Sequence, residues 1–253
     1  MPEFDISALL PFILVGFAAQ IVDGALGMAF GVISSTLLVA VLGVPPATAS
    51  AGVHLVECFT TGVSGISHVA HRNVDWKLFW RLLIPGVAGG VVGAYLLTSI
   101  HAEIARPFVM AYLAAIGIYL LWRGLHYPPR AAEPKVIAPL GLAGGFLDAA
   151  GGGGWGPVVT SNLLVQGAQP RTTIGTVNSV EFFLTVSVSI TFIVALGFEA
   201  FTTAVVGLLI GGVVAAPFGA VIAKRVPAKA LLVMVGVVLT ATSLFSIYRA
   251  VFH

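Results

Sequence analysis

The sequence is short of charge. Only 9% of its 253 residues are Asp, Glu, Lys or Arg, against 58% hydrophobic, and its mean hydropathy is +1.04. A soluble domain carries about a quarter charged residues and could not cover its surface with so few. The scarcity excludes an ordinary water-soluble domain and points to a polytopic membrane protein. Cysteine is scarcer still. Cys58 stands alone, which excludes an internal disulfide and any multi-cysteine metal or cluster site. A basic leader is missing too: "MPEFDISALLPFILVGFAAQ" starts acidic, lacks the positive n-region of a cleaved signal peptide, and is expected to remain as structure. There is no Walker loop and no basic patch with interleaved aromatics, so neither a cofactor nor nucleic acid is an expected partner.

Glycine, by contrast, is plentiful, at 30 residues, and "LDAAGGGGWGP" (147–157) sets four in a row between apolar segments. The surrounding stretch is a second copy of an earlier one. "GFAAQIVDGALGMAFGVISSTLL" (16–38) lies over "GLAGGFLDAAGGGGWGPVVTSNLL" (141–164) at an offset of 125 residues. Asp23 meets Asp148, Gly27 meets Gly152, Gly31 meets Gly156, and Ser35-Thr36 meets Thr160-Ser161. At an offset of 124, "HLVECFT" (54–60) lies over "NSVEFFL" (178–184), pairing His54 with Asn178 and Glu57 with Glu181. Similarity running through both halves reads as an internal duplication, residues 1–127 and 128–253, together forming one transmembrane domain.

Each half repeats one plan of hydrophobic segments. In the first they are 6–22, 31–43, 47–70, 78–97 and 103–125; in the second, 137–148, 155–167, 171–197, 200–223 and 228–251. The long segments can cross a hydrocarbon core of about 30 Å as helices. The short pieces of the second half, near a dozen residues, reach only ~20 Å. If each short pair folds back as a hairpin, ten basic residues fall on one side: Arg72, Lys77, Arg81, Arg123, Arg130, Lys135, Arg171, Lys224, Arg225 and Lys229. Only Arg106 and Arg249 fall on the other. The positive-inside rule favours that arrangement, with both termini outside the cytoplasmic membrane; two full crossings per pair would give the same parity. The expected fold is therefore all-α and polytopic. It comprises two inverted-topology repeats, each a glycine-broken helical hairpin, re-entrant or short, plus three transmembrane helices.

Open backbone at membrane depth is tolerated only where it is buried in protein or lines a cavity. The tips "DGALGMAFG" (23–31) and "DAAGGGGWG" (148–156) are expected to meet at the centre, with the half-helices that follow aiming their N-termini at it. Free amides and the positive end of the helix dipole suit an anion. The candidate binding residues are Gly27, Met28, Ala29 and Phe30 in one tip, and Gly152, Gly153, Gly154 and Trp155 in the other. Ser35, Thr36, Thr160 and Ser161 lie one turn beyond the tips, where they line the cavity or bond back to their own helices. Gly86, Gly89, Gly90, Gly93, Gly211 and Gly212 are expected only to let helices pack closely.

Glu57 and Glu181 each lie about eleven residues into a long helix. A carboxylate at that depth is costly, so each either carries a coupling proton or braces the broken backbone. Asp23 and Asp148 either cap the second half-helices or touch a coupling ion. His54 and Asn178 precede the glutamates by a turn and could donate to a substrate oxyanion. No metal site or catalytic group is expected. Protons or another ion are candidate coupling partners, the lipid bilayer is the surroundings, and a homo-oligomer is compatible with all of this.

These features resemble the sulfite exporter family (TauE/SafE), also called the toluene sulfonate uptake permeases. The resemblance rests on "GGGGWGPVVTSNLL" (151–164), its counterpart "GALGMAFGVISSTLL" (24–38), and the P-x-T that opens the next helix at Pro46-Ala47-Thr48 and Pro170-Arg171-Thr172. It implies a secondary transporter, not an enzyme, moving sulfite or a small organosulfonate by alternating access. In the first tip Leu26, Met28 and Ala29 interrupt the glycine run, so the two tips are expected to contribute unequally. Side chains alone lean the other way. Four acids with one nearby cationic candidate fit a divalent-cation permease as the alternative. A third reading, an intramembrane serine protease built on "GVSG" (62–65) with Ser64 and His54 or His68, pairs groups on a single helix and is poorly placed for catalysis.

Overall fold

The computed structural model describes residues 6–26, 28, 30–126, 133–160, 162–163, 166–197 and 203–223, with scattered residues from 233 to 248. Every described element is helical: α1 (Ile6–Leu26), α2 (Phe30–Thr36) continuing as a π-helical stretch Leu37–Val41, α3 (Pro46–Ala70), α4 (Trp76–Ser99) and α5 (Ala102–Leu125). Then come α6 (Ala138–Gly151), a π-helical stretch Trp155–Thr160, α7 (Pro170–Leu196) and α8 (Thr203–Ala223). Most of the expected segment 228–251 lies outside the described residues.

Local chemistry sets the boundaries. α3 and α7 open on Pro46 and Pro170, whose missing N–H costs nothing at a first helical position. Asp75 Oδ1 caps α4 by accepting from the Lys77 and Leu78 amides, and its own N–H donates to Thr176 Oγ1 at 2.8 Å, tying α4 to α7. α6 ends on Gly152 in the left-handed conformation (φ 74°), the position that favours glycine.

Polarity is distributed as in a membrane protein. The outward faces carry large apolar side chains, with Ile66 74% and Val194 81% exposed, whereas His54, Glu57, Asp148, Ser50 and Thr160 are buried. Two described helices, Trp76–Ser99 and Thr172–Leu196, are long and apolar enough to cross a bilayer. Trp76, Trp80 and Trp122 stand about half exposed near helix ends, where amphipathic rings meet the headgroups.

Three helix pairs organise the interior: α1 along α8, α4 along α6, and α3 along α7. Close packing at glycine brings the first two together. A Cβ on Gly89 or Gly93 would strike the α6 backbone at Leu142 or Phe146, and one on Gly211 would strike α1 at Ile13. The other glycines of this set differ. Gly86 makes room for the Trp155 ring and Gly90 for Leu184 and Val188, while Gly212 sits only in ordinary contact with Phe30 at 3.6 Å.

Candidate functional site

Both chain breaks are held by the same device. In the first, the Phe30 N–H donates to Asp23 Oδ1 at 3.2 Å; in the second, the Trp155 N–H donates to Asp148 Oδ1 at 2.8 Å. Each Asp thus reaches seven residues forward to satisfy an amide that a broken helix would otherwise leave bare. Such an amide, left unpaired away from water, is expensive.

The second tip is then stitched to the first half. Ser35 Oγ donates to the Gly152 carbonyl, Ser50 Oγ to the Ala149 carbonyl at 2.8 Å, and Tyr112 Oη to the Gly153 carbonyl at 3.1 Å. The Trp155 indole N–H donates to the Val177 carbonyl at 3.2 Å, and its ring is fully buried. Gly153 rests against Gly31 so closely that a Cβ on Gly31 would lie 3.0 Å from Gly153 Cα. The two tips therefore meet through bare backbone.

Between them lies a chamber of about 10 Å³, lined by Asp23, Phe30, Gly31, Val32, Glu57, Asp148, Gly154, Gly156, Pro157 and Glu181. A volume that small admits at most about one water molecule. All four acids singled out in the sequence share this chamber. Glu57 is buried and its Oε2 has no hydrogen-bond partner, while Glu181 is partly buried. Among the described residues, no three His, Cys, Asp or Glu side chains are placed to hold one metal ion.

The remaining candidates separate. His54 is fully buried and its Nε2 lies 3.0 Å from Asp148 Oδ2. Asn178, its counterpart in the repeat alignment, turns instead to Ser64, donating to Oγ at 3.1 Å. The Thr36 and Thr160 hydroxyls are buried without a partner, and Met28 is buried beside the first tip. Gly27, Ala29 and Ser161 lie outside the described residues.

A chain of mostly apolar helices with its polar groups gathered round two glycine breaks can now be set beside known proteins. It matches the family described as sulfite exporter TauE/SafE over residues 12–246. The chain belongs to that family. It is also 41% identical over 237 residues, 90% of this chain and 79% of the other, to a Bacillus subtilis (strain 168) protein named "Probable membrane transporter protein YtnM". No solved structure matches it. Family and relative together make the chain a membrane transporter and not an enzyme.

Several residues around this chamber were not among the expected ones. Gly31 and Gly156 line the chamber and were legible in principle, because the repeat places one over the other. Ser50 stands one turn before His54, a spacing that marks a shared helix face. Tyr112 carried no signal, since a lone tyrosine inside an apolar helix does not announce which backbone carbonyl it will meet.

Proposed function

We propose that the protein is a secondary transporter of the cytoplasmic membrane that moves sulfite or a small organosulfonate by alternating access, coupled to protons. In this reading residues 1–127 and 128–253 are inverted-topology repeats with glycine-broken hairpins, re-entrant or short, and both termini face outward. The observation that carries it is the meeting of two glycine tips, Gly31 against Gly153, at the start of two half-helices. A ligand between them would touch amides and helix N-termini without a Cβ in the way.

The packing agrees with such an arrangement. α1, the hairpin arm of the first half, lies along α8 of the second, and α6, the arm of the second, lies along α4 of the first. Asp23 and Asp148 brace the two breaks alike. The family description supplies sulfite as the ligand class. The chamber at about 10 Å³ is too small for an oxyanion, which in this reading belongs to a closed conformation. The anion's seat forms as the tips part and is lined by Met28, Phe30, Gly152, Gly153, Gly154 and Trp155. Hydroxyls from Ser35, Thr36 and Thr160 and the amide of Asn178 complete it, and Asp23, Asp148, Glu57 and Glu181 serve coupling or brace the backbone.

Four carboxylates around one chamber favour a second reading, a divalent-cation permease. Thermal unfolding of the purified protein separates the two. Sulfite or sulfoacetate is expected to raise Tm, with Mg²⁺ and Mn²⁺ without effect; stabilisation by the metals alone would reverse the assignment.

A further inference from the structure

The hydrogen bonds around His54 leave one proton to be accounted for. Nδ1 faces two oxygens, the Ser50 carbonyl at 2.7 Å and Ser50 Oγ at 3.3 Å. The carbonyl can only accept. The hydroxyl has already given its hydrogen to the Ala149 carbonyl. Nδ1 must therefore carry a proton of its own. That leaves Nε2, 3.0 Å from Asp148 Oδ2, where a nitrogen lone pair facing a carboxylate would be repulsive. Asp148 Oδ1 is occupied by the Trp155 amide. One further proton must lie between Nε2 and Oδ2, shared between ring and carboxyl.

We infer that the His54–Asp148 pair is the seat of the coupling proton, one proton bound while the second tip is closed. This rests on the proton-coupled transporter reading above and adds where that proton sits. His54 is on α3 and Asp148 on α6 directly before the tip, so the shared proton joins a long helix to the hinge of a gate. Its departure leaves lone pair against carboxylate in a buried place, and one of the two contacts from α3 to the tip parts, the Ser50–Ala149 bond being the other. The proton returns as the pair closes again.

Among the described residues, only one half has this device. The position of His54 is Asn178 in the second half, an amide that does not titrate and that faces Ser64. Asp23, the counterpart of Asp148, caps Phe30. One proton per closing is the resulting stoichiometry for the pair. The titratable groups around it are Asp23 from α1, Glu57 from α3 and Glu181 from α7, which share the chamber with Asp148, and Tyr112 from α5 on the tip carbonyl. Cys58, one turn on from His54, is turned to Ser189, and the Phe192 ring lies 6.1 Å from the imidazole.

Trp155 reports on the pair, because its amide is bonded to Asp148. In full-length protein with Trp76, Trp80 and Trp122 changed to Phe, reconstituted in liposomes, Trp155 emission is expected to shift in one step with pH. His54→Gln and Asp148→Asn should abolish that step. In Asp148→Asn the amide oxygen still caps Trp155 and the amide N–H fills the proton's place on Nε2, so this variant keeps the fold if His54→Gln does not. No step in the parent overturns the assignment, and an unchanged step in either variant overturns it and points to Glu57, Glu181 or Asp23.

Flux through the same liposomes, with the potential clamped at zero, tests coupling. For one proton per anion, a pH gradient of one unit sustains about tenfold accumulation of labelled methanesulfonate, and neither variant should accumulate it. Exchange without accumulation in the parent overturns the proton site and leaves the anion reading intact. If the parent exchanges no sulfur anion, the anion reading fails, and the emission step alone decides the pair.

Discussion

Gly31 and Gly153 touch through their backbones. A Cβ on Gly153 would overlap the Gly31–Val32 peptide, and Gly153 holds φ at 135°, a conformation L side chains rarely adopt. Gly153→Ala is therefore expected to lose about 2–3 kcal/mol of stability, from strain and overpacking together. Gly197→Ala is the control: it has a positive φ of 75° but open space around it, and should cost only about 1 kcal/mol. Thermal unfolding in detergent compares them, and equal losses would remove the tip contact from the account.

The two capping aspartates should differ despite their matching roles. Asp23→Ala removes one cap and is expected to cost about 1 kcal/mol, with Asp23→Asn close to wild type. Asp148→Ala also strands His54, and breaking a buried pair costs about 3–5 kcal/mol. Similar losses for both alanine variants in the same unfolding assay would contradict the asymmetry.

Glu57→Gln keeps the size of the side chain and removes its capacity for charge from a chamber lined by four acids. The closed state should gain. A gain of about 1.4 kcal/mol would slow opening about tenfold and raise Tm by roughly 3–6 °C. Parallel measurement of Tm and flux checks this; a lower Tm with unchanged flux would make Glu57 a brace for the broken backbone.

Where α4 and α6 cross, Gly89→Ala should cost about 1–3 kcal/mol, because its methyl group would meet the Leu142 carbonyl and the Phe146 amide. Gly212→Ala, beside Phe30 at 3.6 Å, should be nearly neutral. The same melting curves compare them.

The helices were readable because the chain is written in long apolar runs separated by short polar stretches, so α3, α4, α5, α7 and α8 fall within a few residues of the expected segments. The duplicated D-to-G spacing likewise pointed to two breaks, and both are braced by an Asp seven residues back. Partnerships across the fold were not readable. His54 resembled a free donor for a substrate, but nothing local reveals that α3 and α6 bring it to Asp148. Asn178 occupies the matching position and turns elsewhere, donating to Ser64 on the facing helix. Aligning the two halves pairs the positions; the facing helix decides what each side chain does.

The central claim is that these glycine tips gate a path for a sulfur oxyanion. Uptake of radiolabelled sulfite into proteoliposomes, with wild type, Gly153→Ala and protein-free vesicles side by side, tests it most directly. The account predicts uptake by wild type that unlabelled sulfoacetate suppresses and that Gly153→Ala largely loses. Uptake no greater than in protein-free vesicles, or undiminished in Gly153→Ala, would contradict it.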